Sequence, residues 1–171
     1  SIDVFYAHED DAGTPQVETL RAFDELVREG MVDHIAASNF TADRRAEALR
    51  ISDANGWVRY AVLQPHYNLL DRDVFEGPLQ DLCVAEGIAV APYPALAGGF
   101  LTGKYRPGVP APRGARSKGA QAKLTPRGIA ILDALDRVAG AKGATVAQVA
   151  VAWVLSRPGV VTALASATSI Q

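Results

Sequence analysis

The chain has 171 residues, 49% hydrophobic and 21% charged, with a net charge of −2, enough for one domain (residues 1–171) with a real core. A pI near 5.9 leaves no basic excess for nucleic acid or an anionic membrane surface. The lone cysteine, Cys83, makes no internal disulfide and fits a reducing cytoplasm, while the longest apolar run, Ala147 to Leu155, is too short to span a bilayer.

No basic and apolar leader opens the chain. It begins Ser1-Ile2-Asp3 in strand-like sequence, and its only methionine is Met31. It reads as an internal piece of a longer chain, or as the visible part of one.

Ile2 to His8 is apolar and aromatic and predicts a buried strand. Thr14 suits an N-cap and Pro15 the first helical position. Val17, Leu20, Phe23 and Val27 then recur at helical spacing, and Gly30 stops the helix. His34 to Ser38 predicts a second strand, ending at Asn39. Thr41 caps a helix carrying Ala46, Leu49 and Ile51, closed by Asn55-Gly56. Tyr60 to Gln64 predicts a third strand, and Val74 to Glu86 a helix with Phe75, Leu79, Leu82 and Cys83 inward. Ile88 to Tyr93 is the fourth strand. Pro94 breaks it into a small-residue turn with Gly98 and Gly99, where missing side chains let a ligand approach backbone amides. Pro126 to Lys142 is helical, stopped by Gly143. Thr145 caps a last helix through Leu155, and VVTALAS after Pro158-Gly159 predicts a final strand.

Short strands, apolar on both faces and alternating with helices, predict an α/β fold with a parallel sheet covered by helices. An eight-stranded barrel needs about 250 residues, so this chain supplies only part of one. An open doubly wound sheet fits the same alternation, although no G-x-G-x-x-G follows any strand.

Chemistry in such folds sits at the C-terminal ends of strands. Here those ends are His8, Ser38-Asn39, Gln64, Tyr93 and Ser166, each a polar group closing an apolar run. Taken singly, His8 reads as a structural histidine, and Asn39 and Gln64 as groups that satisfy loop backbone. His34 and His66 read as structural or exposed. Asp10 and Asp11 read as a solvated loop rather than a carboxylate pair. No Cys/His cluster points to a metal. Lys104, Arg106, Arg113, Arg116, Lys118 and Lys123 lie in a stretch free of acids, which reads as a solvated loop. It lacks the interleaved aromatics of a nucleic-acid binder.

Five segments together resemble the aldo-keto reductase family. They are IDVFYAH, GMVDHIAASNF, LQPHYNLLDR, APYPALAGGFLTGKY and VAQVAVAWVLSRPGVVTALASATS, in family order and at family spacing. The resemblance covers essentially the whole chain. It implies a (β/α)8 TIM barrel of which this chain supplies strands four to eight, seen as a single partial domain. It also implies NADPH, with NADH as the alternative, a small-molecule aldehyde or ketone as substrate, and no nucleic-acid or membrane partner.

By the same resemblance, His8 would polarise the substrate carbonyl. Ser38, Asn39 and Gln64 would bind the nicotinamide carboxamide, and Tyr93 would stack on its ring. Pro94, Leu96, Gly98, Leu101 and Lys104 would lie along the pyrophosphate and ribose. Ser166, Ala167 and Thr168 would approach the adenosine phosphate. The basic loop from Lys104 to Lys123 would fold over the bound cofactor. The family's proton-donating tyrosine, with its lysine and aspartate, falls on segments before the fourth barrel strand. Tyr6, Tyr60, Tyr67 and Tyr105 do not stand in that motif. Ala95 stands where many members have serine, and Thr168 where many have an arginine for a 2′-phosphate. Two main readings follow, beside a third in which a homo-oligomer builds barrels from partial chains. One is an NAD(P)H-dependent reductase of aldehydes or ketones. The other is a cofactor-binding, catalytically incomplete or regulatory relative. A partial barrel would also expose strand edges, so self-association of the 171-residue piece is expected.

Overall fold

The structure, a computed structural model, describes residues 1–110 and 116–166. Arg113, Ala167 and Thr168 lie outside the described residues. Two compact units emerge, one of Ser1–Pro65 with Asp73–Ala91 and one of His66–Arg72 with Pro92–Gln171.

The first unit is a parallel sheet with helices. Its strands are β1 (Ile2–Ala7), β2 (Val32–Ser38), β3 (Val62–Gln64) and β4 (Ala89–Val90), in that spatial order. Every pairing is parallel, with Ala7 opposite Ala37, Ser38 opposite Gln64 and Leu63 opposite Val90. Parallel strands need crossovers, and α1 (Gln16–Arg28), α2 (Ala42–Asn55) and α3 (Pro78–Ala85) lie between successive strands. Ile35, Ala36, Ala37, Leu63 and Val90 are buried along the sheet, as expected of strands covered on both faces. Phe5, Phe23, Tyr60 and Phe40 form a chain of edge-to-face ring contacts, with centroids 5.5 to 6.0 Å apart.

Two helix starts differ from expectation. Thr14 does not cap α1. Its hydroxyl donates to the Asp11 carboxylate at 2.7 Å, and Pro15 takes the cap position without a side-chain bond. The helix α3 starts at Pro78, not Val74, because Gly77 adopts φ 93° just before the proline that opens the first turn. The buried face of α1 is also rotated from the apolar pattern. Gln16 and Asp24 are buried beside Leu20, and Val17 is exposed. Asp24 is held there by the Val58 N–H at 3.0 Å and by Arg28 at 2.7 Å, so a charged group replaces an apolar one without being left unpaired. Thr41 caps α2 as expected, accepting from the Arg44 N–H, and Gly56 closes it at φ 64°.

The second unit contains a pair of 3-10 turns across Ala97–Thr102, then α4 (Ser117–Gln121), α5 (Pro126–Lys142) and α6 (Val146–Leu155). Phe100, Leu101, Tyr105, Leu132, Leu135 and Ala150 form its core. The bounds of α5 follow the sequence pattern. Thr125 caps its start and Gly143, at φ 61°, its end. A reciprocal capping box between Thr145 and Gln148 opens α6. The expected last strand is not formed. Residues 161–166 lack regular structure. Two backbone bonds tie the segment down, from the Leu164 N–H to the Pro92 carbonyl at 3.0 Å and from the Ala95 N–H to the Leu164 carbonyl at 3.1 Å. Pro94 has no N–H to continue a ladder there. No single described helix is long and apolar enough to cross a membrane.

Candidate functional site

In the first unit the sheet register gathers the polar strand ends. Ser38 faces Gln64 directly across β2 and β3. His8 follows Ala7 as Ser38 follows Ala37, so the three lie in one rank across β1, β2 and β3. Ser38 is fully buried, and its hydroxyl donates to the Gln64 carbonyl at 2.8 Å. That leaves the serine oxygen's lone pairs as its remaining capacity. Asn39 sits at φ 60°, a left-handed conformation that asparagine tolerates better than most residues, and its Nδ2 donates to the His8 carbonyl at 3.2 Å. This bond links the end of β2 to the residue just past β1. The His8 side chain is exposed and the Gln64 side chain is half-buried.

Beside this rank lies a cavity of about 120 Å³ that the sequence did not reveal. Asp10 is not merely solvated, as sequence reading had it. Both of its oxygens accept from the Arg44 guanidinium, at 2.7 and 2.8 Å, in a two-pronged bond. Arg44 also reaches Glu47 at 2.8 Å. Glu47 and the Arg44 carbonyl in turn accept from the Gln16 amide, at 2.7 and 3.1 Å. Asp11 closes the loop locally. The Thr14 hydroxyl and the Gly13 N–H hold its carboxyl below the usual range. These bonds pin the loop that follows His8 to the start of α2.

In the second unit, Tyr93 is half-buried and forms an isolated parallel bridge with His66. Its carbonyl accepts from the Tyr67 N–H at 2.8 Å. Pro94 follows, also half-buried. Ala97, Gly98 and Gly99 then take three successive positive φ values of 49°, 68° and 98°, which turns the backbone sharply. A Cβ at Gly98 would meet nothing within 4 Å, so this glycine serves the turn's conformation and leaves its surface open. Leu96 packs against the edge of the core, whereas Leu101 is wholly inside it, with no exposed surface to offer a ligand. Lys104 is exposed, its ammonium 5.6 Å from the Tyr105 ring centre. Ser166 is exposed.

The basic stretch is pinned at two points in this unit. Arg106 pairs with Asp136 at 2.8 Å and Lys123 with Asp71 at 3.3 Å. Among the described residues no group of three or more His, Cys, Asp or Glu side chains could hold a metal ion.

A model of the Aldo/keto reductase family matches residues 1–171. A probable voltage-gated potassium channel subunit beta from Arabidopsis thaliana is 34% identical over 98% of the chain and 52% of its own length. An L-glyceraldehyde 3-phosphate reductase from Escherichia coli is 30% identical over 99% of the chain and 51% of its own. The solved glycerol dehydrogenase from Gluconobacter oxydans superimposes with a TM-score of 0.80 at 26% identity, over 97% of the chain and 50% of its own. The chain spans about half the length of the curated relatives it matches.

Proposed function

This chain belongs to the aldo/keto reductase family, and from that premise we propose that the full-length protein reduces aldehydes or ketones to alcohols with a nicotinamide cofactor, NADPH before NADH. The observation that carries the proposal is the rank of polar strand ends, in which the sheet register and the Asn39 bond bring His8, Ser38, Asn39 and Gln64 together. The reductase-named relatives agree with it.

The donor set suits the cofactor. Asn39 and Gln64 each offer an amide donor and acceptor, which matches a carboxamide. Tyr93 offers a flat face for a flat ring. Lys104 offers an exposed charge for a phosphate-bearing ligand. Pro94, Leu96 and Gly98 would follow the pyrophosphate and ribose, and Ser166, with Ala167 and Thr168, the adenosine end. When bound, the cofactor supplies the hydride. The chain's own residues do the positioning, and His8 would donate to the carbonyl oxygen as negative charge builds there. With one cysteine and an unremarkable charge balance, we place the protein in the cytoplasm.

The test is oxidation of NADPH and of NADH by the full-length protein with a panel of aldehydes and ketones. His8→Gln should lower kcat by roughly a hundredfold or more while leaving cofactor binding intact. Unchanged turnover in that variant removes His8 from the chemistry.

The likeness to channel beta subunits favours a second reading, in which a bound nucleotide sets the state of a protein partner. Tight nucleotide binding without turnover of any carbonyl would select it. The 171-residue piece alone should self-associate in either case. β1 pairs only with β2 among the described residues, and Ile2 and Phe5 on it are 50% and 37% exposed. A monodisperse monomer in sedimentation would refute this.

A further inference from the structure

Tyr93 is the residue expected to meet the nicotinamide ring, and it is half-buried, with neighbours packed on its ring. One of them is His66. The two residues pair as a parallel bridge, and their rings lie 5.7 Å apart at 40°. The imidazole also has a carboxylate close by. Its Nε2 lies 3.5 Å from an Asp71 oxygen.

Asp71 is a firm support. The same oxygen accepts from the Asn68 amide at 3.0 Å and from the Lys123 ammonium at 3.3 Å. Asn68 has no exposed surface, and its Oδ1 accepts from the Leu70 and Asp71 N–H groups, both at 2.9 Å. Burial pushes the Asp71 carboxyl up, but the Asn68 amide and Lys123 outweigh it and hold the group below its ordinary range. A charged, well-anchored carboxylate thus stands beside an imidazole that packs on the tyrosine. Sequence reading left His66 as structural or exposed. The geometry gives it a direction, from the Asp71 carboxylate to the Tyr93 ring.

We propose that His66, held by Asp71, is a positioning residue that sets the plane of Tyr93 for the nicotinamide ring. The inference rests on the nucleotide reading above and adds a residue to it. A tyrosine's second torsion is a broad, two-fold well, so a neighbouring ring is enough to choose the plane. An edge-tilted aromatic neighbour contributes an amount that converts to roughly a two- to tenfold change in affinity.

The experiment measures binding of NADPH and of adenosine 2′,5′-bisphosphate, which lacks the nicotinamide, to the full-length protein. The variants are His66→Ala, His66→Phe, Asp71→Asn and Tyr93→Leu. His66→Ala should weaken NADPH roughly two- to tenfold and leave the bisphosphate unchanged. His66→Phe, which keeps a ring against Tyr93, should recover most of the loss. Asp71→Asn should fall between. Equal loss for both ligands in His66→Ala would make His66 a support of the fold and overturn the inference, as would full-strength NADPH binding in that variant. If Tyr93→Leu binds NADPH as well as the parent does, the nucleotide reading itself fails and the inference falls with it. If Tyr93→Leu weakens NADPH and His66→Ala does not, only the inference falls.

Discussion

Ser38 and Gln64 stand directly opposite each other at the ends of β2 and β3, and the fully buried Ser38 hydroxyl donates to the Gln64 carbonyl at 2.8 Å. The bond joins two of the proposed carboxamide-binding residues through the backbone. Its loss leaves a carbonyl short of a partner where water cannot easily replace it. Ser38→Ala should therefore cost about 1 kcal/mol of stability, and up to about 3 if the carbonyl stays dry. Urea unfolding with an unchanged slope would measure it. A variant as stable as the parent would show that the bond is replaced by solvent.

Arg45 is the largest fully buried side chain among the described residues. Its Nη2 donates to the Tyr60 carbonyl at 2.7 Å and the guanidinium lies 5.1 Å from the Tyr60 ring centre, but Nε and Nη1 have no hydrogen-bond partner. A buried cation with unmet donors is costly, and replacing it with an apolar chain of similar length commonly stabilises. Arg45→Met is expected to gain about 1 kcal/mol or more, whereas Arg45→Ala, which leaves a hole, should lose stability. Thermal melting of the two variants separates charge from volume. A lower Tm for Arg45→Met would mean that the guanidinium is better solvated than its surroundings indicate.

The same corner of the first unit sets a response to alkali. Burial pushes the Cys83 thiol from 9.0 up to about 11, with Arg45 opposing. Burial likewise pushes the Tyr60 phenol from 10.0 to about 12. In both cases the unfolded chain ionises first, so stability is whole below the unfolded value and is lost as pH rises towards the folded one. Arg45 runs the other way. Burial lowers it to about 10, so its contribution rises with pH as the pH passes through that value. Between about pH 9 and 10 the Tyr60 and Arg45 contributions run in opposite directions and Cys83 sets the slope, so stability should fall by up to about 1.4 kcal/mol per pH unit. Cys83→Ala should be less stable at neutral pH but should flatten that slope. A parent whose unfolding free energy is constant from pH 8 to 10 would contradict the burial of the thiol.

What could be read in advance was mostly local. The Thr41 and Thr145 caps and the Gly56 and Gly143 stops depend on groups within a few residues, and all four stand where the pattern put them. Asp10 and Arg44 are 34 positions apart, and nothing near either one announces their pairing. Apolar spacing placed Val17 inside and said nothing of Asp24, yet Val17 is exposed and Asp24 is buried. Val58 supplies an N–H that only a tertiary contact brings to Asp24. The polar strand ends were legible as residues but not as geometry. Sequence shows that a serine closes β2, not that its hydroxyl is committed to Gln64, and it shows Leu101 beside a glycine turn without showing it buried in the core.

Two glycines on α5 offer a closing contrast between pattern and structure. Helix propensity favours alanine over glycine by about 1 kcal/mol at any interior position. At Gly140 a Cβ would meet nothing within 4 Å, so Gly140→Ala should gain up to about 1 kcal/mol. At Gly128 a Cβ would lie 2.0 Å from the Lys123 carbonyl oxygen and 3.1 Å from the Phe100 ring. The carbonyl belongs to backbone that Asp71 pins through the Lys123 side chain at 3.3 Å, so it does not yield cheaply. Overpacking of this kind costs about 1 to 3 kcal/mol or more, which outweighs the propensity gain. Gly128→Ala should therefore lower the Tm while Gly140→Ala raises it, in one helix and with one substitution. Equal effects at both positions would mean that the turn before α5 moves freely, and the close contact at Gly128 would then impose no constraint.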